Sequence, residues 1–161
     1  MSVKIVIVFL CAAAGTATGY LILCGYRRRF EYYDGLCKLL NELSRNLEYR
    51  MDSAASVISR TALSGALLKK HAAEYAEYAT GKTPELVLSR GFLRADELES
   101  VRGMFASLGA SDGKTQANEL KAQASAFCAV RDEAKQRLDK YGAAAVKLGF
   151  LFGLGAGVLV L

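Results

Sequence analysis

Tryptophan is absent from these 161 residues, and proline and histidine each occur once, as Pro84 and His71. With a single proline almost nothing forces a helix to stop, and no stretch shows a strand-length alternation of apolar and polar residues. The abundance of Ala, Leu, Glu, Lys and Arg in the centre therefore predicts an all-α chain. One histidine excludes a two-histidine metal site and any local Cys/His pair. His71, at the end of the Leu67 to Lys70 turn, reads as a solvated or core imidazole. The four cysteines form no disulfide framework, since Cys11 and Cys24 lie in an apolar run while Cys37 and Cys128 fall on separate predicted helices where packing is their expected role. Two GKT triplets, 81–83 and 113–115, lack the glycine spacing and preceding strand of a phosphate-cradling loop. Asp96, Glu97 and Glu99 read as first-turn helix carboxylates rather than a metal cluster. No catalytic or cofactor-binding constellation stands out, so the chain is expected not to be an enzyme and to need no cofactor or metal.

Both ends are strongly apolar. Residues 5–26 carry no charge, and about twenty such residues at 1.5 Å each cross a hydrocarbon core of roughly 30 Å. The flanks are Lys4 on one side and Arg27, Arg28 and Arg29 on the other. A cleaved signal peptide is the competing reading, but the apolar run carries on through Tyr20 to Tyr26. A lipoprotein signal is excluded by Leu10 and Leu23 before the two cysteines. An uncleaved anchor is expected. The closing run from Leu148 covers only about 21 Å as a helix. Started at Tyr141 it becomes long enough, provided that the Lys147 ammonium snorkels to the headgroups and Tyr141 sits in the interfacial belt.

These features predict an N-terminal transmembrane helix with its basic flank over 1–29, a helical bundle over 30–140 and a C-terminal transmembrane helix over 141–161. The basic residues Arg27, Arg28, Arg29, Lys140 and Lys147 all border the middle segment, which places it in the cytoplasm and both termini outside. The net charge of +5 is then a topology signal and not a nucleic-acid footprint.

Within the middle segment, Leu36, Leu40, Leu43 and Leu47 recur at three-four spacing opposite Lys38, Asn41, Glu42 and Arg45. They predict a helix from Arg27 to about Arg50, with Asp52 or Ser53 capping the next. That one is expected over 54–70, a continuation over 72–79, a short helix starting at Thr83-Pro84 and another over 95–108. A last stripe, Leu120, Ala124, Phe127, Ala134, Leu138, Tyr141, Ala145, Leu148 and Phe152, predicts one unbroken helix from about Gly113 to the end, pairing antiparallel with the first.

In the apolar ends, Gly15 and Gly19 form a small-xxx-small pair, and Gly149, Gly153 and Gly157 form two more, the pattern that lets helix backbones approach in lipid. Counted inward from Tyr26 and from Lys147, Gly19 is level with Gly153 and Gly15 with Gly157, at about 9–10 Å and about 15–16 Å. Contact is expected there, within one chain or between copies.

The segment LGASDGKTQ, Leu108 to Gln116, together with the terminal run KYGAAAVKLGFLFGLGAGVLVL, resembles the stage III sporulation protein AB family of endospore-forming bacteria, with agreement in layout along nearly the whole chain. The chain departs from the family pattern in having Met51-Asp52-Ser53 for a proline-rich turn, and no tryptophan. The resemblance implies a membrane-anchored helical domain like the F-type platform domains of secretion machines. It also implies a place in the channel between mother cell and forespore, in the outer forespore membrane, with a cytoplasmic hexameric ATPase and other channel proteins as partners. In the family an L-G-x-S-D-x-x-x-Q segment opens the last long helix, which here singles out Gly109, Ser111, Asp112 and Gln116 as a partner loop. Physically, Ser111 and Asp112 are also preferred helix caps. The alternative is a membrane-tethered helical scaffold or regulator outside any secretion-like machine.

Overall fold

The computed structural model describes residues 2–49, 52–109 and 113–159. Among them the elements are α1 (Ser2–Tyr49), α2 (Ala54–Arg60), α3 (Ala66–Ala79), α4 (Ala95–Ala106), α5 (Gly113–Arg137), a π-helical turn (Leu138–Gly142) and α6 (Ala143–Leu159). The described residues contain no strand. Two compact units result, one from residues 1–30 with 132–161 and one from residues 31–131.

The 31–131 unit is built on the leucine stripe of α1. Leu36, Leu39, Leu40 and Leu43 are buried together with Tyr32 and Tyr33, and they meet Val57 and Ile58 of α2, Leu68 and Tyr75 of α3, Val101, Met104 and Phe105 of α4, and Leu120 and Ala124 of α5. Lys38, Asn41, Glu42 and Arg45 lie on the exposed face. Ser53 caps α2, its side chain accepting from the Ser56 N–H. The helix expected over 54–70 is instead broken after Arg60. Thr61 turns extended, and both its N–H and its hydroxyl go back to the Val57 carbonyl. Gly65 at φ +86° then opens α3, a left-handed geometry that favours glycine. The 61–65 segment also allows α1 to come close at Gly35, where a Cβ would fall 2.9 Å from the Ser64 carbonyl oxygen.

No helix starts at Thr83-Pro84. Residues 81–85 form turns and bends and 86–90 are non-helical. Leu86 and Leu88 are buried, whereas Val87 between them is 72% exposed. This is the two-residue alternation of extended backbone, short enough to escape a helix-dominated pattern. In place of helical hydrogen bonds, side chains of α3 hold this segment. The Ser89 N–H donates to Glu74 at 2.9 Å and the Ser89 hydroxyl donates to the same carboxylate.

In the unit formed by residues 1–30 and 132–161 the usual inside-outside pattern is reversed. Ile5, Val6, Phe9, Leu10, Leu21 and Ile22 of α1, and Leu148, Leu151, Phe152, Val158 and Leu159 of α6, are exposed, while glycines are buried. Large apolar side chains pointing outward over a glycine-lined contact suit a lipid solvent rather than water. The helical runs Ile5–Tyr49 and Gly113–Leu159 are long and apolar enough to cross a bilayer.

The last helix changes phase at the π turn. The inward positions after Leu138 are Gly142, Gly149, Gly153 and Gly157, whereas Tyr141, Leu148 and Phe152 are 47, 52 and 75% exposed. The stripe expected through Tyr141, Leu148 and Phe152 is therefore off by one residue. The π turn over 138–142 is the cause, because its i→i+5 bonding takes up one extra residue.

Candidate functional site

The five glycines singled out above lie along one seam between α1 and α6. A Cβ on Gly15 would fall 2.9 Å from the Gly153 Cα, and one on Gly19 would fall 2.9 Å from the Val146 Cα. From the other side, a Cβ on Gly149 would collide with the Gly15 carbonyl, one on Gly153 would lie 2.8 Å from the Ala12 Cα, and one on Gly157 2.9 Å from the Val8 Cα. Real Cβ atoms do not sit this close to backbone, so hydrogen is the one side chain that fits. Gly25 and Gly155, by contrast, have nothing within 4 Å of an added Cβ.

The register differs from the expected one. Gly19 lies opposite Ala145 and Val146, two turns from Gly153, and Gly15 lies between Gly149 and Gly153. The levels are set by Tyr26 and Tyr141, whose rings stack with centroids 6.4 Å apart, so counting inward from Lys147 starts too deep. Lys140 places its ammonium 5.2 Å from the centre of the Tyr141 ring. Arg27, Arg28 and Lys147 are exposed and Arg29 half-buried. Lys147 follows Tyr141 by six residues, about 9 Å further along the helix. Thr16 and Thr18 add no polar demand, since each hydroxyl donates to the carbonyl four residues back, Ala12 at 2.8 Å and Ala14 at 2.9 Å.

At the α4–α5 connection, Gly109 adopts φ +88°. Gln116 is buried, and its amide donates to the Ser107 carbonyl at 2.8 Å. That bond closes the connection on itself, while one turn of α5 is fastened to α1 by the Ser44 hydroxyl donating to the Ala117 carbonyl at 3.1 Å. Ser111 and Asp112 lie outside the described residues.

One polar cluster has no local signature in the sequence. His71 is fully buried, with Nδ1 2.9 Å from the Tyr32 hydroxyl and Nε2 2.7 Å from the Ser89 carbonyl. The carbonyl can only accept, so Nε2 carries the proton and the tyrosine donates to Nδ1. Burial lowers the His71 pKa below the usual histidine range and raises that of Tyr32. The imidazole is thus neutral and joins α1, α3 and the extended segment from three directions. Glu97 works similarly at the start of α4, accepting from the Arg94 N–H at 3.0 Å and pairing with the Arg94 guanidinium at 3.3 Å. Among the described residues no three His, Cys, Asp or Glu side chains converge on a metal position.

What these parts do is hold α1 and α6 backbone to backbone along the glycine seam and gather the helices of the 31–131 unit around one apolar core. No curated protein and no solved structure matches the chain. The family model for stage III sporulation protein AB matches residues 4–161, taking in both apolar helices, the bundle and the α4–α5 connection, and the chain belongs to that family.

Proposed function

We propose that this chain is a non-enzymatic platform subunit of the sporulation channel complex between mother cell and forespore, coupling a cytoplasmic secretion-type ATPase to the membrane assembly. In this reading residues 1–29 and 141–161 are the anchors, residues 30–140 the cytoplasmic domain, and both termini lie outside the cytoplasm, in the outer forespore membrane. The observation that carries it is α1 itself, one helix in which the glycine seam of the apolar half and the leucine stripe of the bundle follow one another without a break. A motor acting on the bundle would act on the same helix that carries the glycine seam. The basic residues Arg27, Arg28, Arg29, Lys140 and Lys147 support the orientation. The loop at Gly109, Ser111, Asp112 and Gln116 is the proposed contact for the motor.

The test is recovery of a tagged full-length chain from sporulating cells. The secretion-type ATPase is expected to co-purify, and to be lost on replacing Ser111 and Asp112 by alanine while the chain stays in the membrane. Normal spore yield after clean deletion of the gene would sink the proposal, and recovery of other cytoplasmic proteins in place of an ATPase would point to a tethered scaffold.

A further inference from the structure

A groove lies between α2, the 61–65 segment and α3. Its volume is about 550 Å³, within the range of small-ligand pockets, and a single side chain would fill only part of it. Ile58, Leu63 and three alanines of α3, Ala72, Ala73 and Ala76, give it apolar walls. Ala73 and Ala76 are exposed, so small side chains keep open a space that larger ones would close.

Four polar side chains border the groove: Ser59, Thr61, Lys69 and Tyr75. Two of them have spent their hydrogens inside the fold. The Ser59 hydroxyl donates to the Ser56 carbonyl at 2.9 Å, and the Thr61 hydroxyl donates to the Val57 carbonyl at 2.8 Å. The other two have not. Tyr75 is 5% exposed, with its ring against that of Phe105 at a centroid distance of 5.4 Å, yet among the described residues its hydroxyl has no hydrogen-bond partner. Lys69 is exposed, and no carboxylate among the described residues pairs with it. An ammonium and a phenol both have hydrogens to donate, so both ask an occupant for an acceptor, and Lys69 asks for negative charge.

We propose that this groove binds a single-chain amphipathic anion, with its hydrocarbon tail on the alanine wall between α2 and α3, its acid group on Lys69, and the Tyr75 hydroxyl donating to the same ligand. The carboxylate of a fatty acid and the phosphate of a lysophospholipid share this chemistry. A neutral lipid would leave the ammonium unpaired. A small soluble anion would leave the apolar walls in water. The proposal does not depend on the platform assignment.

The experiment uses the full chain in detergent micelles and a photoreactive dodecanoate, with a diazirine near its methyl end, as the probe. After irradiation and digestion with trypsin, labels are expected within residues 51–82, which span α2 and α3. Labelling of the apolar peptide 5–27 reports partition into the micelle and serves as the internal reference. Lys69→Met should lower labelling of 51–82 relative to that reference by about tenfold, the loss of one charge-assisted contact. Ala73→Phe, which fills the groove from an exposed position, should abolish it. Unlabelled dodecanoate or lysophosphatidic acid should compete, the better competitor identifying the head group, while dodecanol should not. Labels confined to the reference peptide, equal competition by dodecanol, or undiminished labelling in both variants would overturn the proposal. So would a groove that takes no probe while Lys69 is shielded from acetylation only in complexes recovered from cells, which would make the occupant a protein.

Discussion

Gly15 and Gly153 meet backbone to backbone, so that a Cβ added to Gly15 would lie 2.9 Å from the Cα of its partner. Isoleucine at Gly15 or Gly149 must therefore push the helices apart. The expected cost is about 2 kcal/mol or more, the range of overpacked interiors. Spin labels at Thr18 and at Phe152, both on the exposed faces, should report a longer and broader distance in these variants. Gly155→Ile is the control, since nothing lies within 4 Å of its added Cβ, and it should leave the distance unaltered. Identical distances in all three variants would show that close approach is not needed.

The π turn gives a second expectation. Deleting the exposed Asp139 removes the extra residue and lets 138–142 close as an ordinary helical turn, so the glycines of α6 keep their phase relative to Leu138. The same label pair should then keep the native distance, with helix content by circular dichroism unchanged. Loss of the native distance in the deletion variant would mean that the π turn does not take up the extra residue.

His71 makes stability depend on pH. Its folded pKa is lowered below the ordinary 6.5, first by burial and further by Lys70, against the opposing effects of the Ser89 carbonyl and Glu74. Between the lowered folded value and 6.5 the unfolded chain holds more protons, so stability rises with pH in that window. The contribution is complete above 6.5 and declines as the pH falls from there toward the folded value. Urea denaturation of the full chain in micelles should show this slope. His71→Phe should flatten it, while costing about 2 kcal/mol at neutral pH because the Tyr32 hydroxyl loses its acceptor in the core.

Two further glycines should respond with opposite signs. Gly103 lies inside α4 with open space around an added Cβ, so Gly103→Ala is expected to stabilise by about 1 kcal/mol through helix propensity alone. At Gly35 the added methyl meets the Ser64 carbonyl at 2.9 Å and Leu68 at 2.8 Å. There Gly35→Ala is expected to destabilise by about 2 kcal/mol. Denaturation midpoints compared at constant slope would check both.

The sequence alone determined which residues are helical over most of the chain, that both apolar ends are long enough for a bilayer, and which face of α1 between Tyr33 and Leu47 is buried. These follow from patterns repeated within a few turns of one helix, where neighbours along the chain are also neighbours in space. Of the candidate site, the identities of the five seam glycines were legible because backbone contact demands small residues wherever it occurs. Their partners were not. Whether Gly19 faces Gly153 or Val146 depends on the level at which Tyr26 meets Tyr141, more than a hundred residues away. The phase of α6 depends on one π turn that an apolar repeat does not reveal. The break at Thr61 to Gly65, the extended run from Leu86 and the burial of His71 belong to the same class. Each is held by groups distant in sequence: Gly35 beneath the break, Glu74 on Ser89, Tyr32 on His71. Tertiary structure decided these because a backbone amide or an imidazole pairs with whichever group packing brings within 3 Å or so, and no local pattern records which partner that will be.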